Sequence, residues 1–287
     1  MARTQPSAAL AWMLVLRVTA LRRGTKRCIH NGIGLAKNCL FSAMKFYGIT
    51  SPCSRFAKRS RLMGGVGRRR KPSLISKGHE VSMREVIQKK SIEFFETQFQ
   101  RQVQDQEYAL NPFETLALDY LKGSVLDLGS GLGNLSLEAA RRGHSVVSVD
   151  ASPTAVARIN TDAHRDGLPV QAIQADIGRW IIDRSYDTIV AIGLLMFFRR
   201  EPALKLLRAI QQHVSPGGRA IVNVLIEGTT YMGMFDPGNY YLFRRSELEE
   251  QFSGWVILSS RYQTFAAPGQ TRKEFSTVIA EKAKQES

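Results

Sequence analysis

The first 79 residues contain no aspartate and no glutamate. Seventeen of the chain's 40 lysines and arginines lie there, which leaves residues 80–287 with 23 bases against all 25 acids. The net charge of +15 over 287 residues therefore belongs to the leading segment, and the remainder is close to neutral. Nucleic-acid binding is accordingly not expected of the folded part, although the basic segment could support it. Cysteine is scarce as well. Cys28, Cys39 and Cys53 all fall in the leading segment, too few for a disulfide-stapled fold and too widely spaced for a zinc site. No apolar run approaches the ~20 residues that a membrane-spanning helix needs. What is present, 44% hydrophobic and 23% charged residues, matches an ordinary globular domain and excludes wholesale disorder.

The charge partition sets residues 1–82 apart as a basic leader and residues 83–287 as the folded domain. Three readings of the leader stay open. It is a transit-type targeting segment, being Arg-rich, Ser-containing and acid-free. Or it is a tail for nucleic acid or an acidic membrane, built around Arg68-Arg69-Arg70-Lys71. Or it is an unstructured extension, including upstream sequence placed ahead of a true start at Met83. Residues 8–16 faintly resemble the apolar core of a signal peptide, but no A-x-A-type cleavage site follows. A cytoplasmic location is expected, and an organellar one if the leader is a transit peptide.

From Met83 onward the texture changes. Residues 84–105 are polar and Gln-rich, with a broken stripe of Ile87, Ile92, Phe94, Phe95 and Phe99 that predicts one or two helices. Asn111-Pro112 opens a helix expected to run to about Lys122, because proline is tolerated in the first turn. Residues 125–128 and 145–149 read as strands, and residues 134–142 as the helix between them. Ser152 caps a further helix over 152–165, with Pro153 at its first position. Strands over 170–175, 188–192 and 220–226, a helix over 202–213 and a turn at Ser215-Pro216-Gly217-Gly218 continue the pattern. A short helix at 246–252 and a closing antiparallel hairpin, 255–264 with 275–280, complete it. Strands alternating with helices predict an α/β fold: a doubly wound, Rossmann-like sheet with helices on both faces.

Such sheets bind ligands at the carboxyl ends of their strands. The first strand ends in Asp127-Leu128-Gly129-Ser130-Gly131-Leu132-Gly133, where glycines let the backbone pass close to a ligand. The spacing is G-x-G-x-G, since position 134 is Asn. Seventeen residues after Gly133 the second strand closes on Asp150, a carboxylate able to accept hydrogen bonds from both hydroxyls of a ribose. Asp176 ends the third strand, where an acid can meet an adenine amino group. A tight turn and a helix cap are the plain structural alternatives for the loop and for Asp150, and a loop or cap acid for Asp176.

Residues 123–150, GSVLDLGSGLGNLSLEAARRGHSVVSVD, resemble the first motif of the Rossmann-like S-adenosylmethionine-dependent methyltransferases. YDTIVAIGLLMFF and VSPGGRAIVNVLI resemble their fourth- and fifth-strand motifs, so the likeness covers about residues 107–282. It implies S-adenosylmethionine as cofactor. Asp127, Gly129, Gly131 and Gly133 would surround the methionyl group, Asp150 would hold the ribose, and Asp176 would lie near the adenine. Leu194, Met196, Phe197 and Phe198 follow the fourth strand, where the family packs adenosine and substrate; core packing is the alternative for them. The run Leu194 to Phe198, the stretch FRRSELEEQFSGW and the ending FSTVIAEK are similar to the tellurite-resistance (TehB-type) methyltransferases. That family uses a histidine and arginines around its substrate in the last segment. Here His213 is the last histidine, while Arg244, Arg245, Arg261 and Arg272 remain.

Methyl transfer from a sulfonium needs a nucleophile aligned about 3–3.5 Å from the methyl carbon, with water kept out. A soft lone pair on tellurium, selenium or sulfur needs no general base, and no base stands out in the sequence. For an oxyanion acceptor, Arg244 and Arg272 are the expected positioning residues. The expected function is therefore methylation of a small molecule of the tellurite or selenite type, with no metal. Another metabolite, a thiol or RNA is the alternative acceptor. A nicotinamide-dependent oxidoreductase is the reading outside this class. Asn134 and the lack of a Tyr-x-x-x-Lys or His pair speak against it.

Overall fold

The protein's structure, a computed structural model, describes residues 89–284. The leader, its cysteines and the boundary at residue 82 lie outside the described residues. The chain enters as α1 (Lys89–Asp105), one continuous helix across the Gln-rich stretch, free of glycine and proline. Helix α2 (Pro112–Leu118) starts at Asn111, whose side chain accepts the Phe113 and Glu114 N–H groups while Glu114 reaches back to the Asn111 N–H. This reciprocal cap satisfies donors that a helix start otherwise leaves open. The helix is shorter than the sequence suggested. The Lys122 N–H is taken by Thr188 Oγ1 at 2.9 Å, and Gly123 turns with φ +45°, so the chain is already committed to the sheet there.

The alternation then runs β1 (Val125–Leu128), α3 (Asn134–Arg141), β2 (Val146–Asp150), α4 (Pro153–Asp166), β3 (Val170–Gln174) and β4 (Tyr186–Ile192). A single 3-10 turn (Leu195–Phe197) follows, then α5 (Arg200–His213), β5 (Val214–Leu225), α6 (Glu247–Glu250), β6 (Val256–Ala267) and β7 (Thr271–Glu281). Ser152 caps α4 through the Ala155 N–H with Pro153 in its first turn, as the sequence indicated.

The strand order is β3-β2-β1-β4-β5-β7-β6. β1 to β5 are parallel, and the β6–β7 hairpin adds antiparallel to β5. The doubly wound sheet and the closing hairpin are thus both present. One correction concerns the turn at 215–218. Strand β5 begins before it: Val214 pairs with Tyr186, the next register pair is Arg219 with Thr188, and the intervening residues bulge out. Gly217 (φ +72°) makes that bulge possible, and Gly218 lies so close that a Cβ would stand 2.7 Å from the Asp187 carbonyl.

Both faces of the sheet are covered, which the strand residues record directly. In β4, Ile189 and Ala191 enter one cluster with Leu207, Ile210, Phe243 and Phe252, while Val190 enters another with Ala117, Leu135 and Ala139. Each buried Leu, Ile or Phe contributes about 1.5–3 kcal/mol by leaving water. The chain runs outward from β1 to β3, then returns to β4 on the other side of β1. That reversal opens a crevice at the carboxyl ends of β1 and β4.

Candidate active site

The glycine loop sits at this crevice. Gly129, Gly131 and Gly133 all have positive φ, at 70°, 52° and 71°. Gly133 also allows close packing, because a Cβ there would stand 2.3 Å from Ile159 Cγ1 on α4. The loop is tied to the second strand through Asp150. The Gly131 N–H donates to Asp150 Oδ2 at 2.8 Å, and the Ser152 N–H donates to Oδ1 at 2.9 Å. Burial pushes the Asp150 carboxyl up, and the backbone N–H groups of Ser152, Gly131 and Ala151 oppose that. A carboxylate has about four acceptor sites, so the oriented group still has capacity to accept from a ligand hydroxyl.

Asp127 is buried and takes the Ser136 hydroxyl at 2.6 Å, with Ser148 donating in turn to Ser136 at 2.7 Å. Burial raises its pKa to about 6, the Ser136 hydrogen bond opposing, and the neighbouring Asp150 adds to the rise. Glu114 is raised further, to about 7, by burial, with Asp127 contributing. A buried Asp127 and a half-buried Glu114, the latter opposed only in part by Arg158, suit a site that receives a positively charged group. Ser130 Oγ, inside the loop, is buried with no hydrogen-bond partner. An orphaned hydroxyl in a glycine cradle, beside acids held ready, fits a nucleoside cofactor bearing an ammonium group.

The remaining expected residues are placed as follows. Leu194 lies over Gly129, where a Cβ would meet its Cδ1 at 3.1 Å. Asp176 stands just past β3, accepting the Gly178 N–H at 3.0 Å and facing Arg179 at 3.6 Å, so it shapes its own turn. Arg244 and Arg272 are exposed and are not brought together with the glycine loop. Arg244 pairs with Glu250 at 3.1 Å and approaches Glu247, while Arg272 pairs with Glu274 at 2.7 Å. Glu247 is buried and held below the ordinary carboxylate range: burial opposes this, but Tyr241, the Arg244 N–H and Arg200 outweigh it.

Sequence reasoning missed what α1 does. Its Ser91 donates to Met234 O and to Asp236 Oδ2, both at 3.3 Å, beyond β5. Its Phe95 ring meets Phe197 edge-on at 5.1 Å, beyond β4. Its Phe99 ring lies where a Cβ on Gly131 would meet it at 3.2 Å, beyond β1. Its Glu96 accepts the Ser152 and Thr154 hydroxyls, beyond β2. One helix therefore crosses the carboxyl ends of four strands. On the β4–β5 side it completes an apolar wall with Met196, Phe197, Met234, Phe235 and Tyr231. The only sequence signal was the clustering of Phe94, Phe95 and Phe99 in a polar stretch.

Residues 125–218 match a family described as "Methyltransferase domain". The matched segment is similar to the methyltransferase domains of that family. A probable S-adenosyl-L-methionine-dependent methyltransferase TehB of Haemophilus influenzae (strain 10810) is 27% identical over 165 residues, 55% of this chain and 57% of that protein. A ubiquinone biosynthesis O-methyltransferase of Rickettsia prowazekii (strain Madrid E) is 25% identical over 165 residues, 57% of this chain and 61% of that protein. The chain thus spans a little over half the length of these curated relatives. The crystal structure of TehB from Haemophilus influenzae superposes with a TM-score of 0.54 at 22% identity, covering 67% of each chain, and so shares the fold. The matched segment holds β1 to the start of β5, and with them the glycine loop, Asp127, Asp150 and Asp176. No group of His, Cys, Asp or Glu among the described residues could hold a metal ion. No described helix is long and apolar enough to cross a membrane.

Proposed function

We propose that the protein methylates a small, soft acceptor of the tellurite or selenite type, or a related thiol, at the wall formed by Met196, Phe197 and Phe95. S-adenosylmethionine, when bound, supplies a methyl group on a sulfonium leaving group. In this reading Asp150 accepts the ribose hydroxyls, Gly129, Gly131 and Gly133 admit the methionyl part, Asp127 faces its ammonium, and Asp176 and Leu194 border the adenosine. Phe95, Phe99 and Phe197 exclude water from the reacting centre, which strengthens the electrostatic contacts within it.

The observation that supports a soft acceptor is the composition of the acceptor side. It is aromatic and methionine-rich, with Phe197 5.1 Å from Phe95 and 5.2 Å from Phe235. The described histidines stand elsewhere: His144 Nδ1 lies 3.0 Å from the Gly123 carbonyl at the opposite end of β1, His213 ends α5, and His164 is on α4. The tellurium or selenium lone pair of the oxyanion attacks without losing a proton, and a thiol enters as its thiolate with its proton already given to solvent, so the absence of a nearby imidazole hinders neither. Arg244 and Arg272 serve an oxyanion in this reading by exchanging a carboxylate partner for acceptor oxygens.

The second reading is an oxygen acceptor on a small metabolite. It is favoured by Asp236, a buried carboxylate beside Ser91 on the same side of the crevice, which could take a hydroxyl proton. Incubation with methyl-labelled S-adenosylmethionine and a panel of tellurite, selenite, thiols and phenols under reducing conditions decides between them. Methylated tellurium, selenium or sulfur supports the first reading. Methylation confined to phenols overturns it in favour of the second.

A further inference from the structure

Helix α1 touches two of the residues whose backbone orients Asp150. Phe99 packs on Gly131, the donor to Asp150 Oδ2, and Glu96 binds the hydroxyl of Ser152, whose N–H is the donor to Oδ1. The Glu96 contact is two-pronged. Ser152 Oγ donates to Oε2 and Thr154 Oγ1 to Oε1, each at 2.5 Å, and Gln100 Nε2 adds a hydrogen bond to Oε1 at 2.8 Å. Burial works against this carboxylate, but the two hydroxyls outweigh it and hold Glu96 below its ordinary range, so it is ionised at neutral pH. Its charge in turn contributes to the raised pKa of Asp150, so the two acids sense each other across the ribose corner.

We propose that Glu96 is a positioning residue of the cofactor site and that α1 is the element that closes it. The proposal rests on the methyltransferase reading and deepens it. Glu96 reaches the cofactor through Ser152, Thr154 and Asp150, and it docks the helix that carries Phe95 and Phe99 over the crevice. Its second effect is electrostatic. S-adenosylmethionine carries one more positive charge than the demethylated product, S-adenosylhomocysteine. A fixed carboxylate beside the site therefore favours the former, while the product gains only the positional part. Glu96 so helps the site to exchange product for fresh cofactor.

The test compares the wild-type full chain with Glu96→Gln and Glu96→Ala, titrating each calorimetrically with S-adenosylmethionine and with S-adenosylhomocysteine. Glu96→Gln keeps size and most of the hydrogen bonding, so it remains informative if Glu96→Ala fails to fold. The expected result is a loss of about tenfold for S-adenosylmethionine and about threefold for S-adenosylhomocysteine in Glu96→Gln. Amide exchange in α1 should slow when the wild type binds S-adenosylhomocysteine and should quicken in Glu96→Ala. Equal losses for the two ligands would overturn the electrostatic effect, because a mere tether does not distinguish their charges, and no loss for either would overturn the positioning role. Exchange in α1 that ignores the ligand would overturn the closure. If the wild type binds neither nucleoside, the methyltransferase reading itself falls and takes this proposal with it.

Discussion

The Gly131 N–H meets Asp150 Oδ2 at 2.8 Å, so the glycine loop after β1 and the acid that ends β2 form one unit before any ligand arrives. With Ser152 N–H on the other oxygen, the carboxylate is fixed by both ends of the ribose corner. Sequence reasoning treats the loop and the acid as separate features. In the structure neither can be changed without disturbing the other.

The first prediction follows from that unit. Asp150→Ala should weaken S-adenosylmethionine binding by about ten- to a hundredfold through the lost charge-assisted bonds. It should also lower stability, since the buried Ser152 N–H loses its acceptor at about 1–3 kcal/mol and the half-buried Gly131 N–H loses its own. Calorimetry and thermal melting measure the two effects. Unchanged affinity in a folded Asp150→Ala protein would remove the residue from the site.

Gly133 and Gly143 form a matched pair for the second prediction. Both have positive φ, but a Cβ at 133 collides with Ile159 at 2.3 Å whereas nothing lies within 4 Å at 143. Gly143→Ala should cost only the backbone strain, about 1–2 kcal/mol. Gly133→Ala should cost several kcal/mol more, or prevent folding, because α4 must move off the loop. Urea titration of the two variants checks this, and equal losses would show that α4 is not packed there.

A third prediction concerns pH. Asp127 keeps its proton up to about 6 in the folded chain against 3.8 in the reference state, so the native form binds more protons between those values. Stability from this group is therefore fully present at low pH and is lost as pH rises through about 6, a span of about 3 kcal/mol. Asp127→Asn removes the titration. The stability of the variant relative to wild type should rise by about 1 kcal/mol or more from pH 5 to 7. A difference that is flat across that range would refute the raised pKa.

Arg244 and Arg272 separate acceptor chemistry from folding. Their ion pairs are exposed, so alanine at either position should change stability by no more than about 1 kcal/mol. If they serve an oxyanion, methylation of selenite or tellurite should slow about tenfold with cofactor affinity intact. Unaltered rates in both variants would move the acceptor's donors elsewhere.

The fifth prediction addresses the domain boundary. A chain begun at Met83 retains α1, whose Glu96 and Phe99 complete the crevice. It should melt cooperatively and bind S-adenosylmethionine as the full chain does. Loss of the cooperative transition would place part of residues 1–82 in the core.

The amino-acid sequence by itself determined the features whose causes lie within a few residues of one another. The run from Val125 to Gly133 specifies a strand and a glycine turn, Asn111 with Glu114 and Ser152 with Pro153 specify helix starts, and the alternation of such units specifies a parallel sheet. Local hydrogen bonding and side-chain periodicity suffice for these. Tertiary structure alone decided that β5 begins at Val214, because that depends on Tyr186 and Asp187 from a distant strand. It decided that Arg244 and Arg272 face Glu250 and Glu274. Above all it decided the position of α1, whose contacts reach 145 residues along the chain, from Ser91 to Asp236. An amphipathic stripe says that a helix has a face to bury. Where that face lands is settled by the packing of all the elements together, and here it lands on the glycine loop.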